Sequence, residues 1–124
     1  MKHILFIALG GAGGALARHW LASFVHASAQ SHFPWGTMLV NVLGSFAIGV
    51  AYILIVERAA VHPDWRSVTM IGFLGAFTTF STFSLETLAL YENGQGGLAI
   101  LYVTASVLTC LLSAWAGMAF MRLI

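Results

Sequence analysis

Long apolar stretches separated by short polar loops occupy most of this chain. Four of them, at about residues 4–25, 36–56, 67–91 and 98–121, approach or exceed the ~20 residues that a helix needs to cross a bilayer. Only 7% of the residues are charged, whereas an ordinary water-soluble domain carries about 25%. We therefore predict a single all-α integral membrane domain, residues 1–124, with four transmembrane helices.

The charge and cysteine content exclude several functional classes. The formal net charge is +1, so the clustered basic patch of a nucleic-acid-binding protein is not expected. Cys110 is the only cysteine, which excludes an intrachain disulfide and a metal site built on paired cysteines. No Ser/His/Asp grouping is indicated and the histidines lie near the membrane ends, so we expect neither enzymatic activity nor catalytic residues.

The N-terminal segment resembles a cleavable signal peptide, because Lys2 precedes a short apolar run. Glycines interrupt that run and the apolar pattern resumes through Trp20 to Val25, so we expect it to remain as the first span. With four spans, the N-terminus, the second loop and the C-terminus share one side of the membrane. The positive-inside rule predicts that this side is cytoplasmic, because it carries four basic residues: Lys2, Arg58, Arg66 and Arg122.

Small residues recur at four-residue spacing in the first two spans, as Gly10-x-x-x-Gly14 and Ser45-x-x-x-Gly49. This spacing lets helix backbones approach closely and favours association in lipid. Glycine is also simply common in membrane helices, so each motif has an incidental interpretation. Together they favour a tightly packed bundle or oligomer.

The third span contains an unusual polar cluster at mid-depth. Residues 72–84 include two glycines and five hydroxyl residues. Glycine weakens a helix by about 1 kcal/mol relative to alanine, and Ser or Thr side chains can satisfy backbone groups freed by a helix break. We predict a break near Gly75 to Thr79, where carbonyls and half-helix ends can surround an ion. The alternative is a continuous helix whose hydroxyls bond back to the preceding turn.

Aromatic and amide side chains near this cluster are candidates for an anion path. Phe80 and Phe83 are three residues apart, so they share a helix face, and they are interleaved with Ser81 and Thr82. A phenyl ring has a positive edge that can hold a small anion without a full charge, although a lipid-facing or packing pair is the usual interpretation. Asn41 in the second span can donate to an anion or form an interhelical hydrogen bond.

Two charged residues lie within the spans. Arg18 and Glu86 are functional candidates because intramembrane charges face protein or water by default; alternatively, Arg18 snorkels to the interface and Glu86 pairs with a neighbour. In the fourth span Tyr102, Ser106 and Cys110 recur at four-residue spacing and form a weakly polar stripe. Such a stripe can equally hold helices together.

Three segments together resemble the Fluc (CrcB) family of fluoride channels: residues 10–15 leading to Arg18, residues 36–41 continuing to Gly49, and residues 72–84 leading to Glu86. The resemblance implies an antiparallel homodimer in the bacterial inner membrane, surrounded by lipid, whose two pores export fluoride passively. It implies a structural sodium ion held by the carbonyls of Gly75 and Thr78. The fluoride pathway it implies is formed by Asn41, Phe80, Ser81, Thr82, Phe83, Tyr102 and Ser106, and Cys110 departs from the hydroxyl donor expected there.

Two other functions are compatible with four apolar helices. A small proton-coupled drug exporter needs an ionisable group at depth, usually a carboxylate, and only Glu86 fits that requirement. A non-transporting assembly subunit would leave the mid-depth hydroxyl cluster without a purpose. Transport driven by a pH gradient distinguishes the exporter from the channel.

Overall fold

The computed structural model describes residues 1–124 and contains four helical segments long and apolar enough to cross a membrane. The four predicted membrane helices are therefore confirmed. They are α1 (Lys2–Ala29), α2 (Trp35–Glu57), α3 (Arg66–Glu92) and α4 (Gly96–Leu123).

Polar contacts bring the N-terminus, the second loop and the C-terminus to one end of the bundle. Lys2 Nζ lies 3.0 Å from a carboxylate oxygen of Asp64 in the second loop, and Arg122 lies 2.7 Å from Glu57. The hydrogen bond from Lys2, opposed in part by desolvation, holds the pKa of Asp64 below its ordinary value. The grouping of the two chain ends with this loop agrees with the prediction for four spans.

Close backbone packing joins α1 to the first half of α3. Gly10 and Gly14 are buried, and a Cβ at either position would overlap the carbonyl oxygen of Val68 or Phe73, respectively. Overlap with backbone cannot be relieved by a side-chain rotation. The Gly-x-x-x-Gly motif therefore sets how closely α1 approaches α3, while α2 packs mainly on α4.

Helix α3 is interrupted in its middle. Its first half is π-helical over Arg66–Leu74 and α-helical over Gly75–Phe77, and its second half is an α-helix over Phe80–Glu92. Thr78 (ψ 157°) and Thr79 (φ −148°, ψ 122°) between them are extended. The interruption thus lies at the C-terminal edge of the predicted segment, and Gly75 itself stays helical (φ −62°, ψ −35°).

Candidate functional site

Two side chains hold the interruption open. Asn41 on α2 donates from Nδ2 to the Thr79 carbonyl at 3.0 Å, and its Oδ1 accepts from the Thr79 N–H at 2.8 Å. The Thr79 hydroxyl oxygen accepts from the Thr82 N–H at 3.2 Å, which is the N-cap hydrogen bond that starts a helix. One asparagine therefore supplies both hydrogen bonds that the extended residue has lost from the helix.

Backbone groups on both sides of the interruption remain without hydrogen-bond partners. The carbonyls of Gly75 and Thr78 accept no hydrogen bond, and the N–H groups of Phe80 and Ser81 donate none. The carbonyls form the negative end of one half-helix, and the N–H groups form the positive end of the other. The break therefore places free carbonyl oxygens, a kind of group that suits a cation, near free N–H groups, a kind that suits an anion.

A cleft of about 360 Å³ opens beside the interruption. No charged side chain lines it. Its walls come from α2, α3 and α4, and the residues are Asn41, Gly44, Ser45, Ile48, Thr78, Thr79, Phe80, Phe83, Ser106, Val107, Cys110 and Leu111.

The two phenylalanines meet this cleft in different ways. Their ring centroids are 5.4 Å apart with planes inclined by 49°. Phe83 is buried and its ring also lies 5.1 Å from that of Tyr102, whereas Phe80 is 77% exposed. Phe83 is therefore a buried part of the cleft wall. Phe80 is exposed, so the cleft is open on the side of Phe80 in a single chain.

Two serines of α4, Ser106 in the polar stripe and Ser113 outside it, differ in their hydrogen-bond partners. Ser106 is 5% exposed and lines the cleft, and its hydroxyl has no hydrogen-bond partner. Ser113 instead donates to the Val42 carbonyl on α2 at 2.8 Å. Ser113 thus joins two helices, whereas the hydroxyl of Ser106 is buried in the wall of the cleft without a partner, which is unusual for a buried polar group.

Glu86 receives two hydroxyl donors near the other end of the bundle. Thr37 donates to it at 2.7 Å and the fully buried Tyr102 at 2.8 Å. Glu86 and Arg18 form no ion pair. Glu86 lines an outer cavity of about 420 Å³, and Arg18 lines an adjacent one of about 200 Å³; Thr37 and Thr82 line both.

Tyr102→Phe is expected to destabilise the protein by about 1 to 3 kcal/mol, because the partly buried Glu86 carboxyl loses one of its two donors. The thermal unfolding midpoint of the detergent-solubilised protein measures this. Tyr91→Phe is the matched control, since Tyr91 is 69% exposed and its hydroxyl has no partner in the structure. Equal midpoints for the two variants would contradict the assigned role of Tyr102.

The structure divides the candidate residues between two regions. Asn41, Thr78, Phe80, Phe83 and Ser106 line the cleft. Arg18, Thr82 and Glu86 line the outer cavities. Ser81 is exposed, with its hydroxyl 3.5 Å from that of Thr79, and Tyr102 bridges Phe83 and Glu86.

Sequence reasoning assigned no role to the side chains of Thr37 and Thr79, although Thr79 lay in the predicted break. Thr79 could have been found as a helix N-cap, because a threonine ahead of a new helix turn is typical of that position. Thr37 carries no comparable signal, since its partner Glu86 lies 49 residues away in the chain.

Comparisons with known proteins match almost the whole chain to one family. The family described as CrcB-like protein, Camphor Resistance (CrcB), matches residues 5–118. A protein of Hahella chejuensis named fluoride-specific ion channel FluC is 47% identical, covering 100% of this chain and 98% of its own. Proteins of the same name from Magnetococcus marinus (49% identical, covering 98% of each chain) and Saccharophagus degradans (58% identical, covering 83% of this chain and 77% of the relative) are also similar.

Proposed function

This chain belongs to the CrcB family, and we propose that it is a fluoride-specific ion channel through which fluoride leaves the bacterial cell passively. The relatives that bear this name match almost the whole chain. With four membrane-spanning helices, the protein is a multi-pass protein of the bacterial inner membrane. A channel carries out no covalent chemistry on its ion.

The observation that carries the proposal is the interruption of α3 beside an uncharged cleft. The second half of α3 begins there with the unpaired N–H groups of Phe80 and Ser81. A helix N-terminus carries a partial positive charge and attracts anions. The partnerless hydroxyl of Ser106, in the wall of the same cleft, is a further donor.

The chemistry of the cleft suits a small anion that must both bind and leave. Fluoride gives up water on entering, so the protein has to replace those hydrogen bonds with its own donors. Hydroxyls and the positive ring edges of Phe80 and Phe83 supply partial charges. Because no charged side chain lines the cleft, the ion is not held by a full positive charge, and passage requires sites that release what they bind.

The cavity lined by Arg18 provides an entrance from one end. Arg18 offers a positive charge beside Thr37 and Thr82, and a charged mouth raises the local concentration of the opposite ion. Thr79 lines both the Arg18 cavity and the cleft. An anion collected at Arg18 can therefore pass along the hydroxyls of Thr82 and Thr79 toward the two phenyl rings.

A second copy in antiparallel orientation would complete the pathway. Phe80 is 77% exposed and the neighbouring hydroxyl residues Ser81 and Thr82 are exposed as well, a poor surface to present to lipid at mid-depth. The two-fold axis of an antiparallel dimer lies in the membrane plane, so only mid-depth features meet their own copies. The break meets that condition, and two clefts give two pores per homodimer.

The residues at the break also fit a structural sodium ion on that axis. The free carbonyls of Gly75 and Thr78 are the kind of ligand that unwound membrane helices offer to sodium. A Cβ at Gly75 would meet only one atom, at 3.6 Å, so space remains beside this carbonyl. Two carbonyls from each copy would hold the ion, whose charge would offset the four carbonyl dipoles brought together there.

Release of fluoride from liposomes tests the function. Purified protein in fluoride-loaded liposomes should release fluoride far faster than the same liposomes release chloride. Equal release of the two ions, or no release, would contradict the proposal. A pH gradient imposed without fluoride tests the proton-coupled exporter in the same preparation.

Phe80→Ile and Phe83→Ile are each expected to slow fluoride release about tenfold or more, a barrier increase of about 1.4 kcal/mol, while the dimer still assembles. Isoleucine keeps apolar bulk but has no positive ring edge. Phe24→Ile is the matched control, because Phe24 is 71% exposed on α1 and does not line the cleft. Unchanged release in both cleft variants would remove the rings from the mechanism.

A further inference from the structure

Cys110 stands in the wall of the same cleft. It is the only cysteine in the chain and is partly exposed. Ser106 precedes it by one helical turn of α4, so the two side chains lie on one face. The thiol is therefore next to the point where the anion pathway offers an unsatisfied donor.

The hydroxyl of Ser106 is an independent indication that this part of the cleft suits a small polar species. It is buried with no partner, although the free energy of leaving a buried polar group unpaired is unfavourable. Such a hydroxyl beside an open cleft is satisfied when water or an ion enters. A molecule small enough to reach Ser106 passes within reach of Cys110, since both residues line one cavity.

We infer that Cys110 is a covalent modification site for small, uncharged thiol-reactive electrophiles, and that its modification closes the ion pathway. The inference rests on the proposed fluoride conduction through this cleft. An adduct on sulfur replaces the S–H donor with a group that has none. It also occupies cleft volume beside Ser106.

The reaction with methyl methanethiosulfonate shows the chemistry. The deprotonated sulfur is the nucleophile and attacks the sulfenyl sulfur of the reagent. A disulfide forms between Cys110 Sγ and the methylthio group, the S–S bond of the reagent breaks, and methanesulfinate leaves with the bonding electron pair. The thiol proton goes to the buffer, and dithiothreitol reverses the modification by thiol–disulfide exchange.

The test treats the full-length protein in fluoride-loaded liposomes with methyl methanethiosulfonate. We expect fluoride release to fall at least tenfold, intact mass to show one methylthio adduct per chain, and dithiothreitol to restore release. Cys110→Ser should show no reagent-dependent change, because no other cysteine exists. Inhibition that persists in Cys110→Ser would overturn the inference.

A cysteine placed outside the cleft tests whether release falls because the adduct blocks the cleft or because the protein is modified at all. Ala60 lies in the loop between α2 and α3, is exposed and does not line the cleft. Ala60→Cys in the Cys110→Ser background should accept the adduct without loss of release. Wild-type protein that carries a complete adduct yet releases fluoride normally would overturn the inference, as would a native protein that takes no adduct.

Failure of the underlying function gives a different result. If the untreated protein released no fluoride, the proposed function would fail, whatever the reagent did. Intact mass would still decide whether Cys110 is reachable in the folded protein.

Discussion

Asn41→Ala is expected to reduce fluoride release at least a hundredfold. The substitution removes the only partners of the Thr79 carbonyl and N–H outside its own helix. Each buried backbone group left unpaired costs about 1 to 3 kcal/mol, so the extended conformation at the interruption loses its main support. The half-helix end at Phe80 would then no longer be held beside the cleft. Fluoride-electrode recordings from liposomes, with size-exclusion chromatography to confirm folding, measure the effect.

Two further variants sharpen this prediction. Asn41→Asp keeps an acceptor for the Thr79 N–H but, when ionised, has no donor and adds negative charge to an anion pathway; we expect it to block release as well. Thr104→Ala is the control, because Thr104 is exposed on α4, makes no side-chain hydrogen bond and lines neither the cleft nor the outer cavities. Release above half the wild-type rate in Asn41→Ala would remove Asn41 from the support of the pathway.

Gly14→Ala is expected to destabilise the protein by about 1 to 3 kcal/mol, the range for overpacking a tight core. The new Cβ would overlap the Phe73 carbonyl. Because that obstacle is backbone, α1 and the first half of α3 would have to separate. This displacement reaches Gly75, two residues after Phe73, and with it the carbonyl that we propose binds sodium, so fluoride release should fall too.

The thermal unfolding midpoint in detergent measures the effect of Gly14→Ala. Gly97→Ala, at the start of α4, is the matched control, since nothing lies within 4 Å of a Cβ there. We expect the control to be neutral or slightly stabilising, because alanine is the better helix former. Equal unfolding midpoints for Gly14→Ala and wild type would contradict the prediction, because they would show that α1 and α3 can separate without loss of stability.

The four membrane helices could be predicted from the sequence, because the length of an apolar stretch is a local property and decides whether a helix can cross the bilayer. The interruption could also be predicted, since consecutive threonines favour a break that their own hydroxyls can satisfy. Thr79 illustrates this, because its hydroxyl oxygen accepts from the Thr82 N–H at 3.2 Å. The glycine was less decisive than its conformational freedom suggested, and Gly75 remained in the helix.

The hydrogen-bond partners of polar residues could not be predicted from the sequence, because they depend on how the helices pack together. Asn41 had two interpretations, and the structure shows the interhelical one as a pair of hydrogen bonds to Thr79, 38 residues away. One Nδ2 hydrogen remains beyond that pair, so its predicted contact with fluoride stays a prediction. The π-helical segments Ile53–Glu57 and Arg66–Leu74 had no recognised signal in the sequence.

The polar stripe of α4 shows both outcomes within one helix. Four-residue spacing indicated correctly that Ser106 and Cys110 share a helix face, and both line the cleft. It gave no information about Ser113, which lies outside this spacing and is bonded to α2. Periodicity reports which residues share a face, whereas burial and partners decide which of them remain available to an ion.

An experimental density map of the purified protein in lipid, determined in sodium fluoride, tests the central claim most directly. We expect α3 to be interrupted at Thr78 and Thr79, with a single density peak on the two-fold axis among the Gly75 and Thr78 carbonyls of two antiparallel copies. We also expect Phe80 and Phe83 to border anion density in each cleft. An unbroken α3, or both phenyl rings turned to lipid, would contradict the proposal that the interruption serves ions.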